Sequence, residues 1–284
     1  MTNHEERWTI RRVLDWTKGY LAEKGIENAR LETEWLLCAA LGLDRVGLYV
    51  NFDKPLNQDE LAECRGLVAR RARHEPLQYI LGSQEFRGLD FQVTPAVLIP
   101  RHDTEVVVEE ALRRAPGARA VLDIGVGSGC IAVALAKQLP EARVWGVEQS
   151  PDALELAQRN AGKHGVEVTL FEGSLFEPFT DQRFDLIVSN PPYIPTADLE
   201  TLQPEVRDFE PRQALDGGAD GLQFYRLIIP AAPEHLNPGG WLVVEMGIGQ
   251  AEAVLGLFEQ AGFCECFTAK DPNGIERVAG GRHA

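Results

Sequence analysis

Two rhythms divide the chain. Up to about residue 84 the apolar positions recur at helical spacing. Leu31, Trp35 and Cys38 fall on that period within ARLETEWLLCAALGL, and Gly42 stops it. A second helix starts near Asn57, with Glu60 three residues on at capping-box spacing. It runs through LAECRGLVARRARHEP and ends before Pro76. β-Branched residues are few, so residues 1–84 predict a small helical bundle. Residues 85–100, EFRGLDFQVTPAVLIP, alternate instead and carry an internal Gly-Leu-Asp, which predicts a short β-hairpin joining two domains.

From residue 101 strands and helices alternate. A helix (TEVVVEEALRRA) leads to the buried strand RAVLDIG, a glycine-rich turn and the helix CIAVALAKQLP. Strand RVWGVEQ, helix PDALELAQRNAGKHG and strands VEVTLFEG and FDLIVSNPP follow. Beyond a loop rich in acidic residues and prolines (194–219) come helix LQFYRLIIPAAPEHL, strand GGWLVVEMG and helix QAEAVLGLFEQAG. CECFTAK and ERVAGGR close the chain as two short edge strands. This order predicts an α/β domain over 101–284, with a mostly parallel sheet covered by helices on both faces.

Length agrees, since 284 residues at about 150 per domain give about two domains. Charge adds more. The net charge is -15, and residues 1–84 hold 12 Lys/Arg against 13 Asp/Glu while the rest hold 16 against 30. The C-terminal two-thirds is an acidic body that repels polyanions, which argues against indiscriminate nucleic-acid binding and against direct DNA contact. Five scattered cysteines include no Cys-x-x-Cys, and Cys264-x-Cys266 is too tight for zinc, so reduced thiols and no metal site are expected. MTNHEERWTI lacks the apolar run of a signal peptide, and no stretch approaches the ~20 apolar residues of a membrane span. A cytoplasmic location follows.

Two turns carry candidate chemistry. The first strand ends in Asp123-Ile124-Gly125-Val126-Gly127-Ser128-Gly129, where glycines permit a sharp turn and close approach of a ligand to the backbone. The spacing is G-x-G-x-G, and Glu148 lies 19 residues past Gly129 at the end of the next strand, placed to accept from both ribose hydroxyls. The pair fits S-adenosylmethionine better than a nicotinamide cofactor; a tight turn without a ligand is the bland alternative. The second turn, Ser189-Asn190-Pro191-Pro192-Tyr193, follows FDLIV at the same sheet edge. Prolines fix φ and remove N–H donors, leaving carbonyls as acceptors. Asn190 adds a side-chain acceptor and Tyr193 an aromatic wall. Asn190 Oδ1 and the Pro191 carbonyl would grip the two hydrogens of a planar –NH2 group. A proline-terminated strand with an ordinary turn Asn is the competing reading.

These residues resemble the Asn-Pro-Pro-Tyr class of amino-methyltransferases. EPLQYILG (75–82), IPRHDTE (99–105), LDIGVGSGCIAVALA (122–136), SPDALELAQRNA (150–161), FDLIVSNPPYI (184–194) and ALDGGADGLQFYR (214–226) are similar to the HemK/PrmC family over almost the whole chain. That family methylates the glutamine side-chain amide of class-1 peptide-chain release factors. The resemblance implies a Rossmann-like class I domain with a seven-stranded sheet, and a helical N-terminal domain that recognises substrate. It implies S-adenosylmethionine as cofactor, S-adenosylhomocysteine as product, and a release factor's Gly-Gly-Gln loop as partner. Gly125, Val126, Gly127, Ser128 and Gly129 would wrap the methionine part and Glu148 the ribose, where the family more often has Asp. Ser174 and Leu175 stand where it usually shows Asp then Trp or Phe near the adenine. Asn190, Pro191, Pro192 and Tyr193 would bind the glutamine. His102 replaces a usual Pro, while Arg101 and Glu105 keep the pattern, either shaping the crevice with Asp123 or forming an i,i+4 surface pair. The expected enzyme is a monomer. Alternatives are glutamine methylation of a ribosomal protein, N6-adenine or N2-guanine methylation of nucleic acid, and a catalytically silent binding module.

Overall fold

The computed structural model describes residues 7–284, which divide into two compact units. The first comprises the described residues up to Gly82 together with Pro204–Phe209; the second is Ser83–Gln203 with Glu210–Ala284.

The first unit is helical. α1 (Ile10–Glu23) starts at Thr9, whose Oγ1 accepts from Arg12 N, and buries Ile10, Val13, Leu14, Thr17 and Leu21 on one face. α2 (Ala29–Leu41) ends at Gly42 in the left-handed conformation, φ 62°. Of the stripe that marks α2 in sequence only Cys38 is buried; Leu31 and Trp35 are each 43% exposed. Beside Cys38 the helix turns Thr33, Glu34, Leu36 and Leu37 inward. Glu34 can be buried because Arg45 (2.6 Å), Tyr49 OH and Arg30 (3.3 Å) all bond to it. α3 (Arg45–Val50) follows, then α4 (Gln58–Arg71), which opens with the expected Asn57–Glu60 capping box. α4 stops at Arg71, short of Pro76, and His74 enters the left-handed region at φ 65°. There the buried Arg71 guanidinium pairs with Glu32 and with Glu205 (2.8 Å) and donates to the Glu75 carbonyl (3.1 Å). α5 (Leu77–Leu81) ends at Gly82.

The second unit opens with the hairpin β1 (Ser83–Phe86) and β2 (Leu89–Gln92), turned by Arg87 and Gly88 at φ 51° and 73°. Then come α6 (Glu105–Arg114), β3 (Ala120–Ile124), α7 (Cys130–Gln138), β4 (Arg143–Glu148), α8 (Pro151–Lys163), β5 (Thr169–Glu172) and β6 (Phe184–Ser189). α9 (Pro204–Phe209), which falls in the helical unit, precedes α10 (Gln223–His235), β7 (Leu236–Glu245), α11 (Ala251–Gln260), β8 (Cys264–Lys270) and β9 (Glu276–Arg282). The loop expected at 194–219 is therefore partly ordered into α9 and short 3-10 turns at 196–201 and 212–214.

One seven-stranded sheet runs β5-β4-β3-β6-β7-β9-β8. Its strands β3 to β7 pair in parallel, and β9 runs antiparallel to both neighbours. Only β8 of the last two strands is an edge; β9 is enclosed. A Cβ at Gly280 would lie 2.6 Å from Phe267, so glycine there makes room for aromatic packing. Alternate residues feed the two faces. Val121, Leu186, Val188 and Val243 pack on one side with Val107, Ala111 and Val133; Leu122, Ile187, Leu242 and Val244 pack on the other with Tyr225, Ile229 and Phe258.

Candidate active site

Register brings the site together. Val147, Ile124, Ser189 and Val244 form one aligned row across β4, β3, β6 and β7. The next position on each strand is therefore Glu148, Gly125, Asn190 and Glu245, a row at the carboxyl edge of the sheet with strands about 4.8 Å apart. This edge is where open α/β sheets bind ligands. A cavity of about 440 Å³ opens there, within the range of small-molecule sites. Gly125 to Ser128, Glu148, Leu175, Asn190, Pro191, Pro192, Arg101 and Thr104 line it.

The glycine turn is shaped by backbone need. Gly125 and Gly127 have φ 75° and 51°, and the space beside Gly125 is open, so a ligand can approach the main chain. Gly129 does a different job from that expected: it does not line the cavity, and a Cβ there would lie 3.3 Å from Ala157, so it lets α7 and α8 approach. The turn is pinned from behind by Asn160, which is fully buried. Its Nδ2 donates to the Ser128 (2.8 Å) and Gln92 (3.0 Å) carbonyls and its Oδ1 accepts from Gln92 N (2.8 Å). Glu148 accepts from Gly127 N (3.1 Å) through Oε2, and from Gln149 N (2.9 Å) and Ser150 N (3.1 Å) through Oε1. The spare lone pair of Oε2 is thus the one left for a ligand.

The expected support residues separate. Arg101 does not pair with Glu105. It binds the buried Glu210, whose other oxygen accepts from Ile99 N (3.4 Å). Glu105 takes His102 Nδ1 (3.0 Å) and Arg87 N (3.4 Å) and does not line the cavity. Asp123 lies buried behind the glycine turn. Its Oδ2 accepts from Ala132 N (3.1 Å), its Oδ1 has no partner among the described residues, and burial raises its carboxyl to about 7 with help from the Glu148 charge. Ser174 Oγ accepts from Gln149 Nε2 (3.1 Å) and is not a lining residue, whereas Leu175 is, in the left-handed region at φ 52°.

At the second turn Asn190 Nδ2 donates to Thr104 Oγ1 (3.2 Å). No protein donor among the described residues meets Asn190 Oδ1 or the Pro191 carbonyl, so both remain acceptors at the cavity wall. Tyr193 is not the cavity wall expected of it. Its hydroxyl turns inward and donates to Glu245 Oε1 (3.3 Å), and burial raises the phenol far above its ordinary value. Glu245 Oε2 has no partner among the described residues, and burial raises this carboxyl to about 7. A loop braces the turn. Gly217 N donates to Ile194 O (2.8 Å) and Ile194 N to Leu215 O (3.0 Å). Gln250 Nε2 donates to Tyr193 O (3.0 Å) and Gly221 O (3.3 Å). Sequence reasoning missed Thr104, Asn160, Glu245 and Gln250. For Glu245 a signal existed: a lone carboxylate inside the apolar run WLVVEM of a parallel strand.

Seven strands in this order, a glycine turn with an acidic residue after the next strand, and an acceptor pair after β6 define a class I methyltransferase. The comparisons agree. Residues 12–82 match the PrmC N-terminal domain and residues 103–203 the methyltransferase small domain. The chain is 82% identical to the release factor glutamine methyltransferase of Geobacter sulfurreducens over 282 residues, 99% of each chain. It is 46% identical to that of Moorella thermoacetica over 258 residues, 89% of this chain and 91% of the relative. A methyltransferase from Pyrococcus furiosus shares the fold, with TM-score 0.54 and 20% identity over 76% of this chain and 98% of the other. The chain belongs to the release factor glutamine methyltransferase family.

Proposed function

We propose that this enzyme transfers a methyl group from S-adenosylmethionine to the side-chain amide nitrogen of the glutamine in a class-1 release factor's Gly-Gly-Gln loop. The observation that carries this is the shared row: Gly125, Glu148 and Asn190 end adjacent strands and face one cavity. The residues fit the cofactor. The open space at Gly125 admits its methionine part, the spare lone pair of Glu148 Oε2 its ribose, and Leu175 with Gln149 its adenine. When bound, it supplies an electrophilic sulfonium methyl.

The chain's own residues prepare the acceptor. An amide nitrogen is a poor nucleophile because its lone pair is delocalised. Asn190 Oδ1 and the Pro191 carbonyl accept from its two N–H groups, which favours a more pyramidal nitrogen and aims the lone pair at the methyl. The proton becomes acidic as the C–N bond forms, so no strong base is needed beforehand. Alignment and preorganised acceptors supply the rate. The helical unit is read as the release-factor platform, supported by the exposed Leu31, Trp35, Val46, Tyr49 and Val50 on α2 and α3.

The test is incubation with labelled cofactor and, separately, a release factor, ribosomal proteins and RNA. Label on the Gly-Gly-Gln glutamine of the release factor alone, located by mass spectrometry, is expected. Label on RNA or only on a ribosomal protein would overturn the assignment.

A further inference from the structure

α8 touches the cofactor turn and the β1–β2 hairpin at once. Its N-terminus lies at the ribose carboxylate, where Ser150 N donates to Glu148 Oε1 (3.1 Å). Two turns on, Ala157 faces Gly129 so closely that a Cβ there would come within 3.3 Å. The last turn grips β2. Asn160, Lys163 and His164 share one face at i, i+3 and i+4. Lys163 Nζ pairs with Asp90 (2.6 Å), and His164 Nε2 donates to the Asp90 carbonyl (3.0 Å). The His164 ring packs on the fully buried Phe91, 4.9 Å between centroids.

Asn160 is the joint. A two-stranded ribbon leaves outward N–H and C=O groups on each strand. At Gln92 the Asn160 amide takes both, accepting from Gln92 N (2.8 Å) and donating to Gln92 O (3.0 Å), as a third strand would. Its other N–H goes to Ser128 O (2.8 Å) in the glycine turn, and Ser128 lines the cavity. One buried –NH2 thus commits one hydrogen to the hairpin and one to the turn. Neither can move away alone without stranding a buried polar group.

We propose that Asn160 is a positioning residue for the cofactor, and that through α8 cofactor binding and the order of the β1–β2 hairpin form one linked equilibrium. This rests on the reading that Gly125 to Ser128 hold the cofactor. It goes further, because none of residues 83–92 lines the cavity. The hairpin steadies the turn around its ligand, and by reciprocity the ligand steadies the hairpin.

The test is hydrogen exchange of the full chain, read by mass spectrometry with and without saturating S-adenosylhomocysteine, alongside calorimetric affinities for the same ligand. In wild type the ligand should slow exchange about fivefold or more both at 124–130 and at 83–93. Asn160→Asp keeps the size but lacks the –NH2 that holds the two carbonyls. It should lower affinity about tenfold or more and abolish the protection at 83–93 while keeping that at 124–130. A residue that served only the packing of α8 would not remove a ligand-dependent effect on the hairpin. The pair Lys163→Ala with His164→Ala releases β2 but leaves Asn160 and every cavity-lining residue in place. It should weaken binding about threefold or more, and it decides the matter if Asn160→Asp does not fold. Protection at 124–130 with none at 83–93 in wild type, or wild-type affinity in either folded variant, overturns the proposal. Binding without protection at 124–130 would instead sink the reading of the glycine turn as the cofactor's.

Discussion

Gly221→Ala is a sharp test of how the acceptor turn is held. The added methyl carbon would sit 2.3 Å from the Tyr193 carbonyl oxygen and 2.7 Å from Gln250 Nε2. The first contact is with backbone, so no rotamer change relieves it. Three effects add. At φ 76° an alanine is strained by about 1–2 kcal/mol. Overpacking adds roughly 1–3 kcal/mol. Displacing Gln250 from Tyr193 O and Gly221 O loses about 1 kcal/mol more. Gly249 is the control: its φ is 81°, yet nothing lies within 4 Å of its added carbon, so Gly249→Ala carries the strain alone. The difference between the two variants isolates the contact with Tyr193 at about 2–4 kcal/mol, or roughly 5–15 °C in Tm for a unit of this size. Turnover should separate them too. A turn pushed aside by about 1 Å misaligns Asn190 and Pro191 and lowers methyl transfer on the order of 100-fold. Cofactor affinity should hold in Gly221→Ala, because Gly125 and Glu148 sit on other strands. Differential scanning fluorimetry and steady-state rates suffice. If Gly221→Ala matched Gly249→Ala in both Tm and kcat, the brace would have no role.

Asn190→Ala should lower methyl transfer by about 100- to 1,000-fold while calorimetry still detects cofactor binding, since it removes one of two preorganised acceptors. Glu148→Ala should weaken cofactor binding about 10- to 100-fold by titration, and unchanged affinity would remove Glu148 from the ribose site. Asp123 has a folded-state carboxyl raised to about 7, so the folded chain holds its proton where the unfolded chain has released it. Stability should therefore fall as pH rises from about 4 to about 7, and Asp123→Asn should flatten that slope in denaturant midpoints. The second unit carries 15 Lys/Arg against 28 Asp/Glu, so kcat/KM for a basic release-factor domain should drop with added salt while kcat holds.

The α/β half of the fold is legible because its strands are nearly continuous apolar runs broken by glycine and proline, and both chemical turns sit at strand ends. Gly125, Glu148 and Asn190 could be placed on one edge without any coordinates. The helical half reads less well. In α2 an ion-paired Glu34 is buried while Trp35 and Leu31 face out, and hydrophobicity alone inverts that face. Tyr193 was misplaced for a related reason: an aromatic beside a pocket looks like a wall, but its hydroxyl finds a partner from β7, more than fifty residues away in sequence. Thr104 was invisible because it meets Asn190 Nδ2 from a turn 86 residues away in sequence, and Glu245, though odd in its apolar run, has no meaning until register sets it beside Asn190. Long-range pairing, not composition, creates that part of the site.

The acceptor pair by itself tolerates any planar –NH2, an adenine's as readily as a glutamine's. The surroundings narrow it. Arg101 is the one Lys or Arg among the cavity-lining residues, and Glu210 already neutralises it. Glu148 and Asp216 line the same cavity as carboxylates. Among the described cavity-lining residues, no further Lys or Arg stands ready for the phosphates that a flipped base would bring. A neutral glutamine side chain on a glycine-rich loop meets no such barrier, because it brings no charge and needs only a narrow entry. Asn190 and Pro191 stay free as acceptors because no described donor meets them, and it is the acidic lining, not the acceptors, that disfavours an amino group arriving with phosphates.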